Sequence, residues 1–346
     1  MKRIVLGFSG SAAAAAAIPW LRERQAAEVI TLTLDFGQGE ELAAVRERAL
    51  ALGAVRAHVI DARDELIRDY LLPALQAGAI LHGHALIYPL IARRLVELAR
   101  MESATAIAHA ARTGSVAHSV IHDAASAPGS ILEVIAPAGS WTPSEPELLA
   151  IVRQHGVHVQ PSAGLRVDAS LWGRRIQPLA GTPLDEDAFS LTRAAEDCPE
   201  YPALLDIEFA GGVPVAANGV EMSMAELIES LETIAGAHGV GRFHTDDAGF
   251  EAPAARVLAI AHRELEARVL GDDLAAMKGK LADVYSDLLL NGRWFSDTRA
   301  GVDAIARVVQ TRVSGAVKLQ LLKGQVTVAN CETEPSGELR SPRAVV

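Results

Sequence analysis

The chain has 346 residues, 50% hydrophobic and only 4% aromatic, which is enough apolar material for a large core packed from Ala, Leu, Val and Ile and, by length, for two domains. Its 32 basic against 43 acidic side chains give a net charge of −11, which disfavours nucleic acid as the main partner. Two widely separated cysteines, Cys198 and Cys331, suggest neither a disulfide scaffold nor a thiolate metal site and fit a reducing, cytoplasmic compartment.

The chain opens on the apolar run IVLGF, followed by SGSAAAAAA. A basic start and an uncharged stretch to Trp20 allow a leader peptide. Gly7, Ser9, Gly10 and Ser11 interrupt that stretch, however, and WLRERQA continues it as a helix, so a strand entering a helix is the preferred reading. No stretch reaches transmembrane length, and no membrane partner is expected. EVITLTLDF, AHVIDA and TAIAHA then read as strands, and EELAAVRERALALG, DELIRDYLLPALQ and ALIYPLIARRLVELARME as helices. Short, continuously apolar strands alternating with helices predict α/β architecture with a parallel sheet covered on both faces. ILEVIAP adds a strand, and Ser144 with Glu147 forms a capping box for the next helix, Pro146 falling in its first turn. This first domain is placed at residues 1–165.

From residue 166 to 330 the pattern changes to an α+β domain. DIEFAGGVPVAANGVEMS and AVKLQLLKGQVTVAN read as antiparallel hairpins, the second turning at Lys323-Gly324. Helices fall over MAELIESLETIAGAHG, from about Ala252 to Leu270, and over LADVYSDLLLNG. His262, Arg263, Glu264 and Glu266 read as a charged helix face. Trp141, Trp172 and Trp294 read as packing residues. Residues 331–346 are polar and proline-bearing and are predicted to be a flexible tail.

The loop at the carboxyl end of a first parallel strand, opening onto a helix amino terminus, is where a phosphate or nucleotide binds. Ser9, Gly10 and Ser11 offer that cradle, although a tight turn before a good helix former explains them equally. Asp35, Gly37 and Gln38, after the second strand, belong to the same sheet end. Arg112, with Thr113 and Gly114, suits a carboxylate. His118 and His122, four apart, share a helix face beside Asp123, with His109 ending the preceding strand and His82 and His84 upstream. Such histidines suit acid–base chemistry or a divalent metal; the spacing lacks the glutamate of an HExxH motif, and no metal is assigned. Asp168 and Arg174, flanking the LWGR glycine, suggest a loop-stabilising role.

VLGFSGS, LTLDFGQGEE, ASLWGR, FEAPAARVLAIAHRELE, LLLNGRWFS and VSGAVKLQLLKG together, in this order and over nearly the whole chain, resemble the argininosuccinate synthase family. The resemblance implies an ATP-pyrophosphatase-type nucleotide domain of the adenine nucleotide alpha hydrolase kind, a smaller synthetase domain and a homotetramer. It also implies ATP as a substrate, with citrulline adenylylated and then attacked by aspartate. The family's phosphate loop S-G-G-L-D-T-S falls on Ser9, Gly10, Ser11, Ala12, Ala13, Ala14 and Ala15, so only the first two residues agree. Its T-G-K-G-N-D-Q-V-R-F-E falls on residues 113–123, where Lys, Asn, Asp and Arg are replaced by Ser115, Ala117, His118 and Ile121. Family serines and a glutamate fall on Val167, Arg175 and Gln177, and its S-R-E-V-Y becomes Asp247, Ala248, Gly249 and Phe250.

These departures predict that ordinary citrulline–aspartate ligation is absent or very slow, and that the protein acts on or binds an amino-acid-like carboxylated small molecule. The alternatives are a non-catalytic pseudoenzyme or structural partner, and an intact synthase. No catalytic residue is assigned, His118, His122 and Asp123 being the candidates. Nucleotide-loop remnants are Ser9, Gly10, Ser11, Asp35, Gly37 and Gln38; substrate-binding candidates are Arg112, Thr113, Gly114, Asp168 and Arg175. The short tail predicts a homo-oligomer smaller or weaker than the family's tetramer, a dimer or a weakly associated pair of dimers.

Overall fold

A computed structural model describes residues 2–39, 42–126, 132–139, 141–179, 182–245 and 248–333. Along the chain run β1 (Lys2–Gly7), α1 (Ala12–Gln25), β2 (Ala27–Asp35), α2 (Leu42–Ala51), β3 (Arg56–Asp61), α3 (Arg63–Leu66), α4 (Leu72–Ala77), α5 (Ile87–Met101), β4 (Ala106–His109), α6 (Val116–Ala125), β5 (Glu133–Ile135) and α7 (Glu145–Gln154). There follow β6 (Leu165–Ser170), β7 (Gly173–Pro178), β8 (Ala203–Ala210), β9 (Val213–Ala217), β10 (Val220–Glu221), α8 (Met224–Ala237), β11 (Arg242–His244), β12 (Gly249–Glu251), α9 (Pro253–Val269), α10 (Asp272–Leu290), α11 (Asp297–Gln310), β13 (Gly315–Leu322) and β14 (Gln325–Thr333). The chain divides into two compact units: residues 1–62, 85–163 and 288–295, and residues 63–84, 164–287 and 296–346. This grouping differs from a single break at residue 165 in the short segments 63–84 and 288–295. No described helix is long and apolar enough to cross a membrane.

The first unit is built on a parallel sheet of order β3-β2-β1-β4-β5. Strand order reverses between β1 and β4, which makes that point the topological switch of the sheet, where open α/β sheets leave a crevice at their carboxyl ends. The register sets Gly7 beside His109 there. Ile4, Val5 and Leu6 are fully buried, as the continuously apolar strand requires. α1 lies in the core: Ala14, Ala15, Ala16 and Ala17 are at most 1% exposed, so the alanine run is first a helix seated in the core. Trp20 stacks on Trp141 at 5.8 Å. α7 carries the Ser144/Glu147 capping box expected from sequence.

The second unit holds two antiparallel sheets, β10-β9-β8-β13-β14 and β11-β12-β7-β6. The two anticipated hairpins supply the first, and the β13–β14 turn runs through Lys323 and Gly324 at φ 45° and 80°. β14 continues to Thr333, so Cys331–Thr333, read as tail, are strand; the remainder, 334–346, lies outside the described residues. Trp172 and Trp294 are each 2% exposed, the packing role anticipated for them. The expected charged face of α9 is partly core: His262 is 2% exposed, its Nε2 lying 2.8 Å from Gln310 Oε1, and Glu266 accepts from Gln310 and Lys278. Burial pushes His262 and Lys278 below their ordinary ranges. At Gly173, φ is 114° and a Cβ would sit 2.1 Å from the Glu251 carbonyl oxygen, so only glycine lets β7 lie this close to β12.

Glu232 on α8 is pushed up from 4.5 to about 7, chiefly by burial, against a hydrogen bond from the Ala254 amide and with Glu251 raising it further. A carboxyl raised on folding contributes stability that is fully present below about pH 4.5 and lost as pH rises through about 7. The loss above neutrality is at most about 3 kcal/mol. Glu232→Gln is therefore expected to be more stable than the parent at pH 8 and to lose that advantage by pH 4.5, as read by urea unfolding across the range. An advantage that does not change with pH would show that Glu232 titrates normally.

Candidate functional site

At the β1–β4 switch the carboxyl ends of the two strands lead into two strand-to-helix loops. After β1, the Phe8 amide donates to the Leu32 carbonyl at 2.8 Å and Thr33 Oγ1 donates to the Phe8 carbonyl at 2.9 Å, which fixes where the loop leaves the sheet. Gly10 takes φ 75° and turns the chain. Ser11 is the N-cap of α1, its Oγ accepting from the Ala14 amide at 3.4 Å and from Ser9 Oγ at 3.0 Å. The amides of Ala12 and Ala13, in the first turn, have no intrahelical acceptor, and with the helix dipole they form the backbone half of an anion site. The side-chain half is missing, since residues 12–15 are all alanine.

After β4 the chain repeats the device. Ser115 caps α6, accepting from the His118 amide at 3.3 Å. Arg112, Thr113 and Gly114 are exposed on the loop, and a Cβ at Gly139, after β5, would lie 3.6 Å from Thr113 Oγ1. A second helix amino terminus and a loop carrying the exposed Arg112 thus lie at the same sheet end, a combination suited to carboxylate or phosphate.

Three histidines meet beside this loop. His109, the last residue of β4, is 3% exposed, and His118 and His122 approach it from successive turns of α6, with ring centroids 5.3 Å and 5.8 Å away and 4.3 Å from each other. Burial foremost, then any charge on His118 and His122, pushes His109 down to about 4. Burial, then His118, also lowers His122. His109 is thus neutral near pH 7, with its Nδ1 accepting from the Ala111 amide at 3.2 Å.

Other sequence candidates sit differently. Asp35 Oδ1 accepts from the Gly37 amide at 2.8 Å, and Gln38 accepts from Phe36 and donates to the Leu34 carbonyl, so these side chains brace the turn after β2. Asp123 follows His122 and is exposed, off the face that His118 and His122 share. Asp168 and Arg175 belong to the second unit, as register partners on β6 and β7; Asp168 pairs with Arg166 at 3.6 Å, and Arg175 donates to Gln177 and lies over the Phe250 ring. Arg174 supports the loop at 190–192 through Glu251 and Ser190. His84, also in the second unit, packs on Phe250 at 4.9 Å. Asp247 lies outside the described residues.

Two family profiles match: "Arginosuccinate synthase N-terminal HUP domain" over residues 3–158 and "Arginosuccinate synthase C-terminal domain" over residues 167–341. Among curated relatives, the chain is 36% identical to the argininosuccinate synthase of Bacillus thuringiensis (strain Al Hakam), across 97% of this chain and 88% of that protein. It is 38% identical to the argininosuccinate synthase of Synechococcus elongatus, across 97% of this chain and 89% of the relative.

Proposed function

The chain belongs to the argininosuccinate synthase family, and from that premise we propose that it is a carbon–nitrogen ligase of the synthase kind, joining citrulline to aspartate at the expense of ATP. The observation that carries this reading is the whole-chain match, 36–38% identity over 97% of the residues, with both family domains in order. The backbone cradle supports it: Gly10, the Ser11 cap and the first amides of α1 receive a phosphate through main-chain groups that the alanine substitutions leave in place. Arg112 and Thr113 then orient a carboxylate of the amino-acid substrate.

One observation favours a second reading. Ala12–Ala15 supply no side-chain donor to a transferring phosphoryl group, and residues 115–122 replace polar positions of the family with Ser115, Ala117, His118 and Ile121. Each missing donor lowers kcat by a factor on the order of 10² to 10³. Under this reading the crevice takes a different amino-acid-like carboxylate, or binds without turnover. Untagged protein given ATP, citrulline and aspartate is expected to release pyrophosphate only when all three are present, more slowly than the ordinary turnover of about 10 s⁻¹. Release indifferent to citrulline and aspartate, or none at all, rejects the ligase reading. A thermal-shift screen of carboxylated amino acids then tests the second, because a ligand of the native state stabilises it by mass action.

A further inference from the structure

Neither reading of the ligation site explains why three histidines gather beside it. One candidate ligand nitrogen from each of His109, His118 and His122 lies within 4.8 Å of the other two. His109 Nε2, His118 Nδ1 and His122 Nε2 are closed off from solvent, and none has a hydrogen-bond partner among the described residues. A chance gathering of core histidines would leave each ring nitrogen to find a carbonyl or hydroxyl, as His262 does with Gln310. Here the three nitrogens without partners belong to the same three rings that gather within this distance.

We propose that His109, His118 and His122 form a three-histidine site for a divalent transition metal, with Zn2+ the best match. Neutral imidazoles are borderline ligands that suit Zn2+ and its neighbours, while a cluster without carboxylate is a poor site for Mg2+ or Ca2+. Zn–N bonds of about 2.0–2.1 Å in tetrahedral array set ligand nitrogens roughly 3.3 Å apart, so side-chain rotations of about 1.5 Å or less close the triangle. The i, i+4 spacing on α6 keeps two ligands on one helix face, and the end of β4 fixes the third. His109 Nδ1 accepts from the Ala111 amide at 3.2 Å; ligation through Nε2 moves the ring proton to Nδ1 and gives up this long contact. Three protein ligands leave the fourth position to water or a ligand atom, the arrangement of catalytic sites more than of closed structural ones.

The test uses the untagged full chain, stripped with a chelator and titrated calorimetrically with ZnCl2, with Co2+ as a spectroscopic probe. One Zn2+ per chain is expected, with Kd on the order of 1 μM or tighter. His118→Ala and His122→Ala are each expected to weaken binding at least about 100-fold. Co2+ is expected to give the visible bands of a four-coordinate nitrogen site, absent from the double variant. His155→Ala, at an exposed histidine after α7, is the control that leaves binding unchanged. Thermal unfolding without metal confirms that the α6 variants are folded, so the result does not depend on the buried His109. Absence of saturable one-to-one Zn2+ binding in the parent, or binding that survives the double substitution, overturns the proposal, whatever the outcome of the ligation assay.

Discussion

Glu251→Ala is expected to destabilise the second unit by about 3–5 kcal/mol, the range for removing one partner of a buried ionic group. Glu251 is fully buried at the end of β12. Its Oε1 accepts from the Leu191 amide, the Thr192 amide and Thr192 Oγ1, each at 2.8 Å, and its Oε2 accepts from the Ser190 amide and from Arg174, each at 3.1 Å. Five donors on one carboxylate hold the 190–192 loop and β7 to β12. Alanine leaves three amides without their acceptor, each worth roughly 1–3 kcal/mol if it stays dry, and strips Arg174 of its counter-charge. Arg174 also donates to Ser190, and its side chain is 20% exposed, so water recovers part of its loss. Ser190 is exposed and Leu191 half-buried, but Thr192 is buried and has no such outlet, so its amide and hydroxyl set most of the effect. Urea unfolding followed by a probe in the second unit measures it; a change under about 1 kcal/mol would mean that the loop repacks and that the carboxylate is not its anchor.

That hub was not legible in the sequence, where Glu251 precedes Ala252 and Pro253 and reads as the approach to a helix. Its donors come from a segment 60 residues earlier with no periodic pattern, and only the tertiary fold sets Ser190–Thr192 over it. The same limit governs the histidines. Spacing alone puts His118 and His122 on one face, but His109 joins them because β4 enters the sheet beside β1 and the chain turns back through Arg112–Ser115 into α6. What the sequence did carry was local: apolar strands between helices, the positive-φ glycine after Ser9, the Ser144–Glu147 box, and turns at Lys323-Gly324. Asp35 and Gln38 show how local geometry adds to a reading from residue type. Their residue types suit a ligand edge, yet short polar side chains beside Gly37 satisfy the nearest amides first. The membership of segment 63–84 in the second unit leaves no local mark, since its helices read like any in a βα series.

Restoring the family's loop chemistry, as Ala13→Asp/Ala14→Thr/Ala15→Ser, is expected to raise citrulline- and aspartate-dependent pyrophosphate release by on the order of 10²-fold. The backbone of the cradle is already formed: Gly10 turns the loop, Ser11 caps α1, and the first-turn amides are free of intrahelical partners. What the chain lacks at these positions is side-chain donors and acceptors, so the gain is one of kcat, with little change in the affinity supplied by main-chain groups. The gain has a structural cost. Ala14 and Ala15 are 1% and 0% exposed in the core of the first unit, and added atoms there force shifts worth about 1–3 kcal/mol. Ala13 is half-buried, and an aspartate there, in the first turn, recovers about 0.3–1 kcal/mol from the helix dipole. The triple variant should therefore melt below the parent and turn over faster, while Ala13→Asp alone should melt at or above it. Faster turnover with a lower Tm would tie the slow parental rate to the alanine run. If the folded variant binds ATP by calorimetry yet releases pyrophosphate no faster, the loop is not what limits the reaction. The changes at Ser115, Ala117, His118 and Ile121 then carry the difference, and the altered-substrate reading displaces the ligase reading.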